Sequence, residues 1–320
     1  MSKAIKYFSM FTGIGGFELG IQNVGTKPQN STNTKGAAPQ HSFSPLCVGY
    51  SEIDKYAINT YERRFNGHTN YGDATAINAT ELPDFDLLVG GFPCQSFSIA
   101  GKRKGFDDTR GTLFFDVARI LAEKRPRHLV LENVKGLLSH NGGETFQTIL
   151  GVLSDLGYRV EWQVLNSKDF GVPQNRERIY FIGHLRGECS GQVLPISGTN
   201  SQDIVQINYP KHSNDRVYDT SGVSPTLNTM QGGNRQPFIS KTVRSGGRGS
   251  PHGSKQNWDS YEFKGKIRRL TPIECERLQG FPDNWTEGES DSQRYKMCGN
   301  AVTVNVVEAV MTRLLNRGCL

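Results

Sequence analysis

The sequence is short of cysteine, of long apolar runs and of charge imbalance, and each shortage excludes something. Six cysteines fall at irregular positions, 47, 94, 189, 275, 298 and 319, in 320 residues. That density is too low for a disulfide-built scaffold, and no two form a C-x-x-C pair. No cysteine–histidine spacing fits a zinc site, so no metal is expected. The thiols read as reduced, in a cytoplasmic compartment, with room for one to be reactive. No run approaches the roughly 18 apolar residues of a membrane span. The opening MSKAIKYF has no long apolar stretch of the secretory kind. No membrane partner is expected. Lys and Arg outnumber Asp and Glu by only 37 to 31, a net charge of +6. That mild excess is compatible with nucleic acid and does not require it. With 36% hydrophobic residues and a mean hydropathy of −0.50, the chain reads as a soluble globular protein. Collagen, coiled coil and bulk disorder are excluded. The length suits one large domain or two unequal ones.

The first two-thirds alternate apolar runs with amphipathic stretches. Strands are expected over Ala4–Met10, Leu46–Ser51, Phe85–Val89, His128–Glu132, Tyr158–Leu165 and Arg178–His184. Helices are expected over Gly16–Val24, Lys55–Phe65, Leu113–Glu123 and Glu144–Leu156. Such alternation predicts an α/β fold, a mostly parallel sheet with helices on both faces. Gly25–Pro45 is polar and turn-rich and reads as a flexible surface insertion. From Gly187 to about Lys266 helix signals are few. Within it, Ser221–Trp258 holds Arg235, Lys241, Arg244, Arg248 and Lys255, seven glycines and no acidic residue. This local positive charge suits a phosphate-lined partner, or else a solvated surface. Thr271, Pro272 and Glu274 form a capping-box pattern opening a helix that Gly280 ends. A last helix is expected over Gly299–Asn316.

Several strand ends carry chemistry-bearing residues. FSMFTGIGGFELG is a strand, a glycine turn and a helix, a place for backbone amides to meet a nucleotide-like ligand, although the full dinucleotide spacing is missing. Glu52, after the second strand, is placed to accept from ribose hydroxyls; Asp54 and Asp73 serve equally as caps or as ligand contacts. GGFPCQSFSIAG sets Cys94 on a turn-rich loop near Lys102, Arg103 and Lys104, cations that favour thiolate. On the residues alone a nucleophile and an inert loop thiol both stand. Glu132 ends another strand at the same edge and could pair with Cys94 as acid or base. Arg176 and Arg178 in QNRERIYFIG start a strand, or form a surface pair flanking Glu177.

Taken as a set, FTGIGG, GGFPCQSFS, ENV, QNRERIYFIG, RRLTPIECERLQGFP and GNAVTVNV, in that order over nearly the whole chain, resemble the cytosine carbon-5 DNA methyltransferases of the prokaryotic or phage restriction-modification type. The resemblance implies a Rossmann-like catalytic domain that uses S-adenosyl-L-methionine, over residues 1–186 plus 268–320, with 295–320 packing back on the cofactor site. Residues 187–267 would be a smaller, irregular target-recognition domain. By matching position, Phe11, Gly13, Ile14 and Gly15 would line the cofactor. Glu52 would hold the ribose, Ile53 the adenine face and Asp73, with Ala74, the adenine amino group. Asn300 and Val302 would close the pocket. Cys94 would be the nucleophile, Glu132 the contact to cytosine nitrogen 3, Arg178 the contact to the base oxygen and Arg176 its support. Gln95, Ser98, Lys102, Arg103, Arg235, Arg244 and Arg248 would meet DNA. The implied partner is double-stranded DNA, bound by a monomer in the cytoplasm and associated with the nucleoid through it; a separately acting cognate endonuclease stays open.

The insertion at 25–45 and the small Ile53 depart from the family pattern. Three other readings compete. A nicotinamide oxidoreductase leaves Cys94 and Glu132 without a role. A catalytically silent DNA-binding relative should have lost one of them. An RNA cytosine-5 methyltransferase would not need so long a variable segment, since duplex sequence is what must be read in a groove.

Overall fold

The computed structural model describes residues 3–26, 43–93, 113–198, 204, 206, 216–219, 222–227, 237–240, 242–243, 262–263 and 268–320. The chain runs β1 (Lys3–Met10), α1 (Gly16–Thr26), β2 (Phe43–Ser51), α2 (Lys55–Arg64), β3 (Leu87–Gly91), α3 (Leu113–Lys124), β4 (His128–Val134), α4 (Glu144–Asp155), β5 (Tyr158–Asn166), β6 (Gln174–Asn175) and β7 (Glu177–Leu185). Short strands follow: β8 (Val217–Asp219), β9 (Ser224–Pro225), β10 (Phe238–Ser240), β11 (Thr242–Val243), β12 (Glu262–Phe263) and β13 (Arg268–Arg269). Helices α5 (Pro272–Leu278), α6 (Asp291–Asn300) and α7 (Val304–Asn316) close the chain.

The main sheet has the order β2-β1-β3-β4-β7-β5. Its first four strands are mutually parallel, whereas β7 runs antiparallel to both of its neighbours. Both faces are apolar because successive side chains point to opposite sides. In β4, Leu129 and Leu131 pack with Phe114, Val117 and Leu121 of α3 and with Ile149 and Leu153 of α4. Val130 faces the other way, into Phe17 and Ile21 of α1 and Val306, Val310 and Leu314 of α7. Helices α1 and α7 approach closely. A Cβ on Gly20 would stand 2.6 Å from the Val307 side chain, so a larger residue there would force the pair apart.

The expected elements recur, with differences. β2 starts at Phe43, inside the stretch read as insertion, because Phe43 is buried in the core between α1 and the sheet. The single helix expected over Gly299–Asn316 is two. Ala301 is extended and caps α6, Val304 donates to the Gln279 carbonyl at 2.9 Å, and Val302 packs against Gly16 instead of continuing a helical face. The expectation of reduced, unpaired thiols is also corrected: Cys189 and Cys319 are bridged. Their separation of 130 residues hides this in the sequence, and the fold brings the turn after β7 to the end of α7. The capping box stands as read, Thr271 Oγ1 accepting from Glu274 N and Glu274 accepting from Thr271 N.

Candidate active site

Strand register brings the chemistry-bearing strand ends to one edge. Met10 pairs with both Ser51 and Gly90, and Gly91 pairs with Glu132. The carboxyl ends of β1, β2, β3 and β4 therefore lie side by side, the place where ligands bind to open α/β sheets.

At the β1 end the chain turns sharply. Phe11, Gly13 and Gly15 all have positive φ (53°, 58° and 86°). Phe11 has a Cβ and holds this conformation at a cost of about 1–3 kcal/mol, strain of the kind kept at functional loops. Glu52 orders the turn. Its Oε2 accepts from Gly13 N at 2.8 Å, and its Oε1 from Ile53 N at 2.8 Å and Asp54 N at 2.9 Å. A carboxylate offers about four lone-pair positions, so these three bonds fix it and leave a place on Oε2 for a hydroxyl donor. Beside it Ile53 presents an apolar side chain that is 70% exposed. Asp73 caps the turn Ala74–Ala76, its Oδ1 accepting from Thr75 N and Oγ1 at 2.9 Å each; those bonds hold its pKa below the usual carboxylate range. Ala74 beneath it is buried. Ile14 is buried and its carbonyl accepts from the Trp285 indole at 2.8 Å; Val302 is buried against Gly16, and Asn300 is exposed at the end of α6. A fixed carboxylate, an exposed apolar shelf and a second acid suit the hydroxyls, base face and amino group of an adenosine.

At the β4 end lies a buried charge cluster. Arg178 Nε forms an ion pair with Glu132 Oε1 at 3.0 Å, with the two side chains only 16% and 12% exposed. They meet because Glu132 pairs with Tyr180 and Val134 with Arg178, which makes them diagonal neighbours on one face. Burial pushes the Glu132 pKa up, more than the Arg178 and Arg176 charges pull it down. Gly91 leaves the acid room: a Cβ there would lie 3.1 Å from Glu132 Oε2.

Arg176 is not part of a surface pair. It is 2% exposed, and its Nη2 donates to the carbonyls of Gly299 at 3.1 Å and Ala301 at 2.9 Å, while Nη1 lies 3.5 Å from the Leu227 carbonyl. Burial, then the like charge of Arg178, pushes it down to about 9, still protonated at neutral pH. Asn133 is a residue that sequence reasoning passed over, although it is the middle of ENV. Its Nδ2 donates to the Phe92 carbonyl at 2.9 Å and so holds the exit of β3. Gln174 was also missed. Wholly buried, it donates to the Leu278 carbonyl at 2.7 Å and accepts from Leu227 N at 3.1 Å. Cys94, Gln95, Ser98, Lys102, Arg103, Arg235, Arg244 and Arg248 lie outside the described residues.

Residues 5–222 and 191–316 match the family model of the C-5 cytosine-specific DNA methylases. The chain belongs to that family. The type II methyltransferase M1.ScrFI of Lactococcus lactis subsp. cremoris is 40% identical over 97% of this chain and 78% of its own length. M.NlaX of Neisseria lactamica is 38% identical over 97% of this chain and 96% of its own. M.HhaI of Haemophilus parahaemolyticus is 35% identical over 96% and 93%. Among solved structures, the Dnmt2 methyltransferase of S. pombe has the same fold, with TM-score 0.67 at 18% identity over 97% of this chain and 98% of that one. The methylase contains no helix, among the described residues, long and apolar enough to cross a membrane.

Proposed function

We propose that this methylase transfers a methyl group to carbon 5 of a flipped-out cytosine in a specific double-stranded DNA sequence, through a covalent adduct of Cys94. The observation that supports this best is the buried Glu132–Arg178 pair. It is carried on the strand beside Gly91–Pro93, one residue short of the cysteine of the PCQ motif.

Carbon 5 of cytosine is a weak nucleophile. Addition of the Cys94 thiolate at carbon 6 gives the ring enamine character. Burial favours the protonated form of Glu132, which donates to nitrogen 3 as negative charge develops there. Arg178 keeps the acid oriented and reaches the base oxygen. Arg176 acts from behind, tying β7 to the 299–301 segment. Once carbon 5 has taken the methyl group, loss of its proton and expulsion of the thiolate restore the base, and nitrogen 3 returns its proton to Glu132. The methyl donor is S-adenosyl-L-methionine, whose sulfonium supplies an electrophilic methyl group. Glu52, Ile53, Asp73, Ala74, Asn300 and Val302, with the turn Phe11–Gly15, hold it. Taking the target out of the stack costs a few kcal/mol. Gln95, Ser98, Lys102 and Arg103 meet the DNA around the extruded base. Residues 187–267 read the site, with Arg235, Arg244 and Arg248 on DNA. The enzyme acts as a monomer on nucleoid DNA, in a restriction-modification setting.

Expression in a methylation-free bacterial host, followed by genome-wide mapping of 5-methylcytosine, tests the reading. Methylation confined to one short motif, and lost in Cys94→Ala while S-adenosyl-L-methionine still binds, is the expected result. Soluble protein that leaves the genome unmethylated would reject it.

A further inference from the structure

The sheet edge opposite the active site gathers a second set of reactive side chains. His184, near the end of β7, is fully buried. Its Nδ1 lies 3.0 Å from His128 Nδ1, and its Nε2 makes no hydrogen bond. Cys189 follows in the turn after β7, and Cys319 lies just beyond α7. His184 Nε2 and the two sulfurs all stand within 4.8 Å of one another. Glu161 Oε1 is 3.9 Å from the same Nε2 and 3.5 Å from Arg159 Nη1, while its Oε2 is held by Val193 N and Leu194 N at 3.0 and 2.9 Å. One imidazole and two sulfurs in this compass are the donor set of tetrahedral zinc, which takes thiolate and imidazole ligands in preference to hard oxygen.

We propose that the dithiol form of this protein binds one zinc ion through His184 Nε2 and the thiolates of Cys189 and Cys319. The bridged sulfurs become available by a balanced two-electron exchange. An external dithiol closes to its own disulfide and gives up two electrons and two protons, and the Cys189–Cys319 bond opens to two thiols. Zinc then displaces both thiol protons, and two thiolates neutralise its charge. With His184 donating from Nδ1 to His128, Nε2 carries the lone pair that faces the sulfurs, and His128 fixes the ring as an outer partner. Water takes the fourth position beside Glu161.

The site is structural. His184 is six residues along β7 from Arg178, about 20 Å at strand rise, and so takes no part in methyl transfer. Zinc and disulfide are alternative cross-links on the same two sulfurs. Either one fastens the end of α7, a helix packed on α1 and on the sheet face that carries Glu132.

The full-length protein is reduced with a phosphine, freed of metal and titrated with Co²⁺ and then Zn²⁺. One Co²⁺ per chain is expected, with thiolate-to-cobalt charge transfer and the intense visible bands of a tetrahedral site, displaced by one Zn²⁺. Air-oxidised protein should lack the signal until it is reduced. Cys189→Ser, in a half-exposed turn and checked for native circular dichroism, should lose it, and Cys47→Ser should keep it. His184→Gln is a second ligand variant, but its buried site makes the cysteine variant the safer measurement. Reduced, folded protein that takes up no stoichiometric metal would overturn the proposal. So would uptake unchanged in both Cys189→Ser and Cys319→Ser.

Discussion

Replacing Arg176 by methionine removes the donors and the charge while keeping most of the side-chain volume. Two carbonyls then lose good partners, those of Gly299 and Ala301, in a place closed to water. A buried acceptor left unsatisfied costs roughly 1–3 kcal/mol, partly offset because the guanidinium no longer has to be desolvated. The net loss comes to about 2–4 kcal/mol. At about 2.1 cal/mol/K of unfolding entropy per residue, a chain of 320 residues should lose about 3–6 °C in melting temperature. The damage falls on the 299–301 segment, so affinity for S-adenosyl-L-methionine should fall along with stability. Without the Arg176 charge, the Glu132 pKa should rise further. Differential scanning calorimetry and isothermal titration with the cofactor read both effects. A variant that melts within 1 °C of the parent and binds the cofactor equally well would show that Arg176 does not hold this segment.

Glu132→Gln keeps the shape and removes the acid, so kcat should fall about 10²–10⁴-fold with little change in DNA affinity. In the parent, kcat should fall as pH rises through the elevated Glu132 pKa, and the variant's profile should lack that limb. Glu18, in α1, is fully buried with neither carboxylate oxygen hydrogen-bonded. Burial raises its pKa to about 7, although the Ser9 and Tyr61 hydroxyls nearby offset part of the effect. A carboxyl raised in the folded state destabilises once ionised. Its contribution is fully favourable below pH 4.5 and lost as pH rises through 7, about 3 kcal/mol in all. Denaturant melts of Glu18→Gln between pH 4 and 8 should be flatter by that amount, and a parallel pH dependence would refute it. Gly15→Ala puts a Cβ 2.2 Å from the Phe65 ring at φ 86°; cofactor binding should weaken at least tenfold by equilibrium dialysis.

What was legible in the sequence was local. Apolar runs of strand length, Thr271 with Glu274, and Asp54 ahead of α2 each announce themselves within a few residues. The motif set carried the family. What the sequence hid depends on distant neighbours. DSQRYKMCGN shows almost no apolar periodicity, and α6 is held instead by the burial of Met297 and Cys298 and by Lys296 bonding Asp54 at 2.6 Å. Arg176 and Arg178 look alike in QNRER, yet one reaches three carbonyls from distant segments and the other a carboxylate. Asn133 carries no periodic signal at all. Only the register of β3 with β4 shows that it can reach Phe92.

The reversed direction of β7 has a consequence for how the chain can be rebuilt. β7 delivers the backbone to the far edge of the sheet, and the segment after it has to return. Residues 193–196 make that return along β5, through Glu161 and then Gln163, and Gly198 arrives against the backbone of Asp169. This strap has a length set by the sheet it crosses, so it behaves as a fixed socket. The stretch between Gly198 and Arg268 therefore leaves from beside Asp169 and rejoins the described chain just ahead of α5. A splice made at Gly198 would keep the bonds of residues 193–196 to Glu161 and Gln163, whereas one made at residue 187 would remove them.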